Sequence, residues 1–144
     1  MNVVAHGVDF VEIRRIAELV ERHGRAFLDR VFTAVEQDYC RGRKRELEHL
    51  AGRFAAKEAV LKVMGTGWRN GIAWTDVEVV NAVSGQPSIR LYGRCAEIAS
   101  ERGIAQVLIS ISHTDTHALA SAIGLAEERL EAGGRRLEHR RDAE

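Results

Sequence analysis

Apolar positions in the first third of the chain form a short continuous run and then recur at helical spacing. Residues 3–9 make up the run, which predicts a strand with Asp9 at its end. The next segment, about residues 10–22, has helical periodicity and a stop at Gly24, with its apolar residues at Ile13, Ile16, Ala17 and Val20. A further helix is expected over about residues 25–35.

A long helix that ends at Gly65 carries charged residues against an apolar face. Because an α-helix has about 3.6 residues per turn, one side of it presents four residues together: Phe54, Glu58, Leu61 and Lys62. The apolar stripe continues through Leu47, Leu50 and Met64. Glu58 is therefore expected at the edge of a core, where a carboxylate is either paired structurally or positioned for catalysis.

The second half of the chain predicts two strand pairs separated by a helix. Strands are expected at about residues 77–83 and 88–92, joined by a turn that contains glycine and proline. A helix near residues 93–102 precedes strands at about 107–112 and 118–125. Hairpin neighbours in this mixed order predict an α+β fold rather than a doubly wound parallel sheet.

The charged residues of these elements also have structural interpretations. Asp9 and Glu12 have the spacing of a capping box, in which the aspartate accepts the first free N–H groups of a helix. Glu58 and Lys62 stand at i,i+4 in the favourable order, so a helix-surface ion pair worth about 0.2–0.5 kcal/mol explains them without chemistry.

Composition and charge are those of one compact domain. The chain has 144 residues, 45% of them apolar, and a formal net charge of zero, which offers no global field for nucleic acid or an anionic membrane. No apolar run approaches the ~20 residues that span a bilayer, and the N-terminus lacks a signal-peptide layout, so we expect a cytoplasmic protein. Cys40 and Cys95 are too few for a disulfide framework. We divide the chain into a domain at 1–126 and a charged tail at 127–144, interpreted as a solvated helix or a frayed end.

Three motifs follow one another along the chain: Gly7-Val8-Asp9 with Arg15 after it, Phe54-x-x-Lys57-Glu58-Ala59-x-x-Lys62, and Ser112-His113-Thr114. Gly65-Thr66-Gly67 and Gly85-x-Pro87 lie between them. In this order they resemble the motifs of the holo-acyl-carrier-protein synthases, the small bacterial 4′-phosphopantetheinyl transferases, over about residues 3–125. The resemblance implies a single-domain fold with an antiparallel sheet packed around a long central helix. It also implies transfer of the phosphopantetheine arm from coenzyme A to a serine of an acyl carrier protein, with release of adenosine 3′,5′-bisphosphate.

The resemblance and the chemistry of a pyrophosphate suggest a role for each motif residue. Asp9 and Glu58 are predicted to hold Mg²⁺, which typically binds one or two carboxylates together with waters and substrate phosphates. Lys62 is predicted to stabilise the leaving phosphate, and the proton acceptor for the serine is left open between Asp9, Glu58 and a water molecule. For Lys57 two interpretations stay open, a contact to the coenzyme and a buried structural partner. Gly65 also suits a helix cap, since glycine is the commonest residue there. The predicted contacts to coenzyme A are Arg53, Lys62, Gly65, Thr66, His113 and Thr114.

The predicted macromolecular partner is an acyl carrier protein, a class of strongly acidic helical bundles. Arg15 and Arg22 are seven positions apart, so they share a face of the first helix and could form a basic patch. The alternative is an ordinary solvated face, because Glu18 and Glu21 lie among these arginines. The family resemblance further implies a homotrimer with active sites between subunits.

Two other classes of function remain open from the sequence. A metal-dependent hydrolase would use His113 and His117, whose spacing suits zinc on a helix, although the alternating residues before them indicate a strand. A non-catalytic module would bind an acidic helical partner and perform no chemistry.

Overall fold

The computed structural model describes residues 2–68 and 70–127. In chain order its elements are strand β1 (Val3–Glu12), helices α1 (Ile13–His23), α2 (Arg25–Val31), α3 (Ala34–Cys40) and α4 (Glu46–Met64), a 3-10 helix (Trp74–Asp76), strands β2 (Val77–Asn81) and β3 (Pro87–Leu91), helix α5 (Gly93–Glu101), and strands β4 (Gln106–His113) and β5 (His117–Leu125). Within these ranges, none of the helices has the length and apolar character needed to cross a membrane.

The strands form two antiparallel sheets. In the larger sheet β5 lies between β1 and β4, whereas β2 and β3 pair as a separate hairpin. Ala120 at the middle of β5 faces Asp9 of β1 on one side and Ile111 of β4 on the other. The larger sheet packs one face against α4, and the hairpin and α3 pack against other sides of the same helix. The predicted α+β fold, with antiparallel strands around a long central helix, is confirmed.

Close contact between α4 and the large sheet depends on small residues. A Cβ atom at Gly124 of β5 would lie 2.8 Å from Val63 Cγ1, and one at Gly52 of α4 would lie 2.9 Å from Ile111 Cγ2. Alanines fill the inner face of β5 for the same reason, and those at 118, 120 and 122 are completely buried. Larger side chains at these positions would separate the helix from the sheet and open the core.

Two local predictions are wrong. β1 continues three residues past Asp9 and ends only at Glu12. The helix expected over residues 25–35 is interrupted, because Phe32 and Thr33 are extended and Thr33 caps a new helix through a capping box with Glu36. Of the predicted tail, residues 128–144 lie outside the described residues, so its boundary at residue 126 stays a prediction.

Candidate active site

β1 carries Asp9 on the face of the sheet that packs against α4. Gly7 lies two residues earlier on the same face, and a Cβ atom there would be only 2.3 Å from Ala59 O. Glycine at this position therefore lets β1 approach α4 and brings Asp9 to the helix. The predicted capping box is wrong, because Asp9 pairs with Ala120 inside the strand and Glu12, which precedes α1, forms no side-chain cap.

Lys62 links α4 to the same strand. Its Nζ donates a hydrogen bond to Val8 O at 2.7 Å and lies 3.3 Å from Asp9 Oδ1. The lysine side chain is 54% exposed, so solvent screens this ion pair and its contribution to stability is small. The alternative pairing of Lys62 with Glu58 is wrong, because the ammonium group bonds to β1 instead.

Glu58 is half-buried one helical turn before Lys62, and its Oε1 accepts a hydrogen bond from Trp68 Nε1 at 3.3 Å. Burial raises the pKa of Glu58 above its ordinary value, and the negative charge of Asp9 raises it further. The hydrogen bond from Trp68 and the charges of Arg15 and Lys62 oppose this rise without cancelling it. The carboxylates of Asp9 and Glu58 are therefore close enough to repel each other, and a cation between them would relieve the repulsion.

The donor set of this site suits a hard divalent cation. Asp9 and Glu58 offer carboxylate oxygens from two different elements, which is the kind of ligand that Mg²⁺ prefers. Across residues 2–68 and 70–127 there is no group of three or more His, Cys, Asp or Glu side chains that could hold a metal by itself. Waters and substrate oxygens would therefore have to supply the remaining ligands, as is usual for Mg²⁺ at phosphate-transfer sites.

Arg15 extends from α1 toward the same site. Its Cζ lies 5.7 Å from the centroid of the Phe54 ring, and its positive charge lowers the pKa of Glu58. Arg22 is exposed in the last turn of α1. The two arginines predicted to meet a protein partner are thus both exposed on one helix, and Arg15 also borders the carboxylate pair.

Lys57 forms a buried ion pair and does not belong to the site. Its Nζ is 2.7 Å from Glu36 Oε1, and both side chains are completely buried. The same ammonium donates to the carbonyl of Trp74 at 3.1 Å and to that of Val77. Of the two interpretations that the sequence left open for Lys57, the structure forms the buried structural pair. Glu36 was not among the predicted residues, although the capping-box pattern Thr33-x-x-Glu36 marks it in the sequence.

Arg53 lies on the far side of α4 from Glu58. Five helical positions separate the two residues, which corresponds to about 140° around the axis. The Arg53 guanidinium bonds to Asn81 Oδ1 and to His49 O at 3.3 Å, and its Cζ is 4.2 Å from the centroid of the Tyr39 ring. Arg53 is only 3% exposed, so within one chain it does not reach the carboxylate pair.

The loop after α4 contains two more of the predicted coenzyme contacts. Gly65 has φ 76° and ends α4 in the left-handed conformation, so it does act as the helix cap. Thr66 follows and donates from Oγ1 to Gly67 O at 3.1 Å. Trp68, which bonds to Glu58, comes from this loop and was not among the predicted site residues. The available signal was a large aromatic residue among glycines directly after the motif helix.

His113 and Thr114 lie at the end of β4 in the connection to β5. Thr114 Oγ1 accepts the backbone N–H of His117 at 3.1 Å, which closes the hairpin. His117 stacks on Phe10 at 4.5 Å between ring centroids and faces away from α4. The two histidines belong to different strands and not to one helix, so the zinc-helix spacing considered for a hydrolase is wrong. His113 instead lies near His49 in the first turn of α4. The pKa of His49 is lowered mainly by burial, next by the charges of Arg53 and Arg43, and less by His113.

Comparisons with known proteins identify the family of the chain. The family model for the 4′-phosphopantetheinyl transferase superfamily matches residues 5–122. A holo-[acyl-carrier-protein] synthase from Trichlorobacter lovleyi is 44% identical over 121 residues, covering 84% of this chain and 96% of the relative. One from Desulforudis audaxviator is 46% identical over 123 residues, covering 85% and 93%.

Solved structures give the same result. The holo-[acyl-carrier-protein] synthase of Neisseria meningitidis has a TM-score of 0.78 at 30% identity, with 86% of this chain and 99% of that chain covered. The enzyme from Helicobacter pylori, solved in complex with coenzyme A, has a TM-score of 0.74 at 29% identity, with 84% and 100% covered. With most of its length matched by the family model and by relatives above 40% identity, the chain belongs to the 4′-phosphopantetheinyl transferase superfamily.

Proposed function

We propose that this chain transfers the 4′-phosphopantetheine arm of coenzyme A to a serine hydroxyl of an acyl carrier protein. The observation that carries the proposal is the convergence of Asp9, Glu58 and Lys62 from two elements. Lys62 Nζ lies 3.3 Å from Asp9, and the charge of Asp9 raises the pKa of Glu58. The named relatives act on acyl carrier protein, and the relative from Helicobacter pylori binds coenzyme A, which supports the same substrates here.

In this reaction the serine oxygen bonds to the phosphorus that carries the pantetheine arm, and the bond from that phosphorus to the bridging oxygen of the pyrophosphate breaks. The leaving group is adenosine 3′,5′-bisphosphate, on whose phosphate negative charge develops. The exposed ammonium of Lys62, fixed by Val8 O at 2.7 Å, can stabilise that charge. The serine proton passes to a base, for which Asp9, Glu58 and a water molecule remain candidates.

Mg²⁺ is the cation that we propose for the carboxylate pair. Asp9 and Glu58 would hold it, and when bound it would neutralise the pyrophosphate oxygens during transfer. Lys62 would remain beside Asp9, so the positive charge of its ammonium and that of the ion would both act on the pyrophosphate. The pair leaves most of the coordination sphere to the substrate, which would couple binding of the ion to binding of coenzyme A.

We propose that the carrier protein docks on α1. Arg22 is exposed and Arg15 borders Glu58, so an acidic partner on this strip would present its serine near the carboxylate pair. Arg22→Glu should raise the KM for carrier protein far more than the KM for coenzyme A, and added salt should weaken the difference. Arg14→Glu is the matched control, because Arg14 is on the same helix but already pairs with Glu18 at 3.1 Å. Equal changes in both KM values would refute the docking assignment.

We also propose a homotrimer, in which the outer face of the large sheet is the subunit contact. This face exposes large apolar side chains that a lone chain would leave in water: Val8 at 46%, Phe10 at 62%, Leu108 at 45% and Leu119 at 42%. Leu119→Asp should dissociate the assembly in light scattering and lower turnover. A trimer that survives this substitution would refute the proposed contact.

Active sites between subunits would explain the positions of the other predicted coenzyme contacts. Gly65 and Thr66 lie just after the helix that carries Glu58 and can serve the same chain's site. Arg53 and His113 lie toward the first half of α4 and away from Glu58, as does Thr114 beside His113. His113 and Thr114 are exposed and could contact coenzyme A held by a neighbouring copy, whereas Arg53 is only 3% exposed and is not available for such a contact. That the reaction takes place in the cytoplasm remains a prediction from the sequence.

The direct test is transfer itself. The protein is incubated with apo carrier protein, coenzyme A and Mg²⁺, and the carrier is examined by intact mass for the added arm. Asp9→Asn and Glu58→Gln should each reduce transfer strongly while preserving the fold, and the double variant should be little worse than either alone, because one substitution already disables the shared site. Retained coenzyme A and carrier binding without any transfer by the unmodified protein would favour a non-catalytic binding module.

A further inference from the structure

Trp68 belongs to the loop between α4 and the 3-10 helix, yet it contacts a residue well inside α4. Its indole Nε1 donates a hydrogen bond to Glu58 Oε1 at 3.3 Å. The chain reverses direction after α4 through Gly65 and Gly67, which have φ of 76° and 61°. This reversal brings Trp68 back alongside α4, next to the carboxylate of a residue ten positions earlier in the chain.

Aromatic stacking holds the Trp68 indole beside Glu58. The ring of Trp68 stacks on that of Trp74 with centroids 3.7 Å apart, and Trp74 stacks on Phe54 with centroids 5.0 Å apart. Phe54 lies on α4 one turn before Glu58, so the two residues project on the same side of the helix. The stack therefore rests on the helix next to Glu58 and keeps the indole N–H within reach of its carboxylate.

The middle member of the stack is also fixed through its backbone. Lys57 Nζ donates to Trp74 O at 3.1 Å, and Lys57 is itself held by Glu36 at 2.7 Å in a completely buried pair. Trp74 is thus attached to α4 by its carbonyl and by its ring. A buried pair of this kind restricts the loop more strongly than a surface contact would, because both charges need their partner in place.

We propose that Trp68 is a positioning residue for the reaction: its indole N–H fixes one oxygen of Glu58, so that the other oxygen is aimed at the cation and the pyrophosphate. Hydrogen bonds of this type commonly orient carboxylates that bind metals, and their loss typically costs about 10–100-fold in metal affinity or activity. This inference rests on the proposed function, because it assumes that Glu58 is a ligand of the cation.

The first test measures cation binding without turnover. Mn²⁺ is titrated into the full-length protein without substrates and followed by electron paramagnetic resonance. Trp68→Phe keeps an aromatic ring in the stack and removes only the N–H donor, so we expect about tenfold weaker Mn²⁺ binding. Tyr92→Phe is the matched control, because it removes an aromatic donor from another carboxylate, Glu78 at 3.1 Å, outside the site. It should leave Mn²⁺ affinity unchanged.

A second measurement leaves Trp68 itself intact. The chain contains two tryptophans, so a ¹⁵N-labelled sample has two indole N–H signals, and Trp74→Phe assigns the one from Trp68. Adding Mg²⁺ to the protein should shift the Trp68 signal much more than the Trp74 signal, and Glu58→Gln should abolish that shift. A Trp68 signal that does not move when Mg²⁺ is added in the presence of saturating coenzyme A would overturn the proposal.

The outcomes separate this inference from the proposed function. If the unmodified protein adds no arm to the carrier, the proposed function fails whatever Trp68 does. If it transfers the arm, but Trp68→Phe binds Mn²⁺ as tightly as the unmodified protein, the role assigned to Trp68 is wrong. Equal weakening in Trp68→Phe and Tyr92→Phe would also overturn it, because the effect would then reflect general packing.

Discussion

Replacing Lys57 by methionine tests whether this lysine belongs to the fold or to the chemistry. Its ammonium lies 2.7 Å from Glu36 Oε1, and neither side chain is exposed to solvent. It also donates to the carbonyls of Trp74 and Val77. Burial lowers the pKa of Lys57, and the neighbouring charge of Glu36 opposes that change. Methionine has similar length but no charge, so the variant leaves a buried carboxylate without its cation.

The expected loss of stability follows from what remains around Glu36. Its carboxylate keeps two backbone donors, Thr33 N at 2.9 Å and Val79 N at 3.0 Å, but no positive charge. Removing one partner of a buried ion pair typically costs about 3–5 kcal/mol. In a domain of this size, 1 kcal/mol shifts the melting temperature by about 2–4 °C, so Lys57→Met should melt about 6–20 °C lower.

The assay is thermal and urea unfolding at constant protein concentration, with turnover measured on the same preparations well below the melting temperature. Glu36→Gln combined with Lys57→Met is the control, because it removes both charges and should be more stable than Lys57→Met alone. An unchanged free energy of unfolding in Lys57→Met, together with lost turnover, would refute the structural assignment. It would indicate that Lys57 contacts the coenzyme, which is the alternative that the sequence left open.

Three further predictions address other regions. Glu58→Gln should melt at the same or a higher temperature than the unmodified protein at neutral pH, although transfer is lost. The raised pKa of Glu58 means that its ionised form is disfavoured in the fold. Any gain in melting temperature should therefore be complete above that pKa and vanish as the pH falls through it toward 4.5. Cys40 and Cys95 should resist iodoacetamide at pH 8 and react only in urea. Burial raises both thiol pKa values from 9.0 to about 11, which leaves about a hundredfold less thiolate. Rapid labelling of the native protein would contradict this prediction. Removing residues 127–144 should leave turnover intact, and loss of folding or assembly would show that the tail is not a solvated end.

Local patterns in the sequence predicted the elements well where one physical signal dominated. The long helix ends at Gly65 because glycine readily adopts the left-handed conformation, and both the helix and its cap were predicted. The β2–β3 hairpin followed from a turn that contains glycine and proline, and β4 followed from its alternating apolar residues. The interruption at Thr33 was missed, because a capping box within a longer apolar pattern starts a new helix without a glycine or proline to mark it.

Local spacing along the chain could not predict which charged residues pair. Glu58 and Lys62 have the separation of a helix-surface ion pair, but Lys62 bonds to β1 because Gly7 lets that strand approach the helix. Similarly, Asp9 has the spacing of a helix cap, yet strand pairing with β5 continues past it. Short-range rules identify which partners are possible, and the packing of distant segments decides which partner is nearer.

The sequence by itself therefore determined the fold class and the family, and it predicted the residue types of the candidate site, because hydrophobic periodicity and motif order are properties of neighbouring positions. Only the tertiary structure decided that Lys57 is buried with Glu36, that the charge of Asp9 acts on Glu58, and that Trp68 returns to bond with Glu58. Each of these contacts joins residues from separate elements. Their geometry depends on how closely the sheet, the loop and α4 pack, which no spacing along the chain can specify.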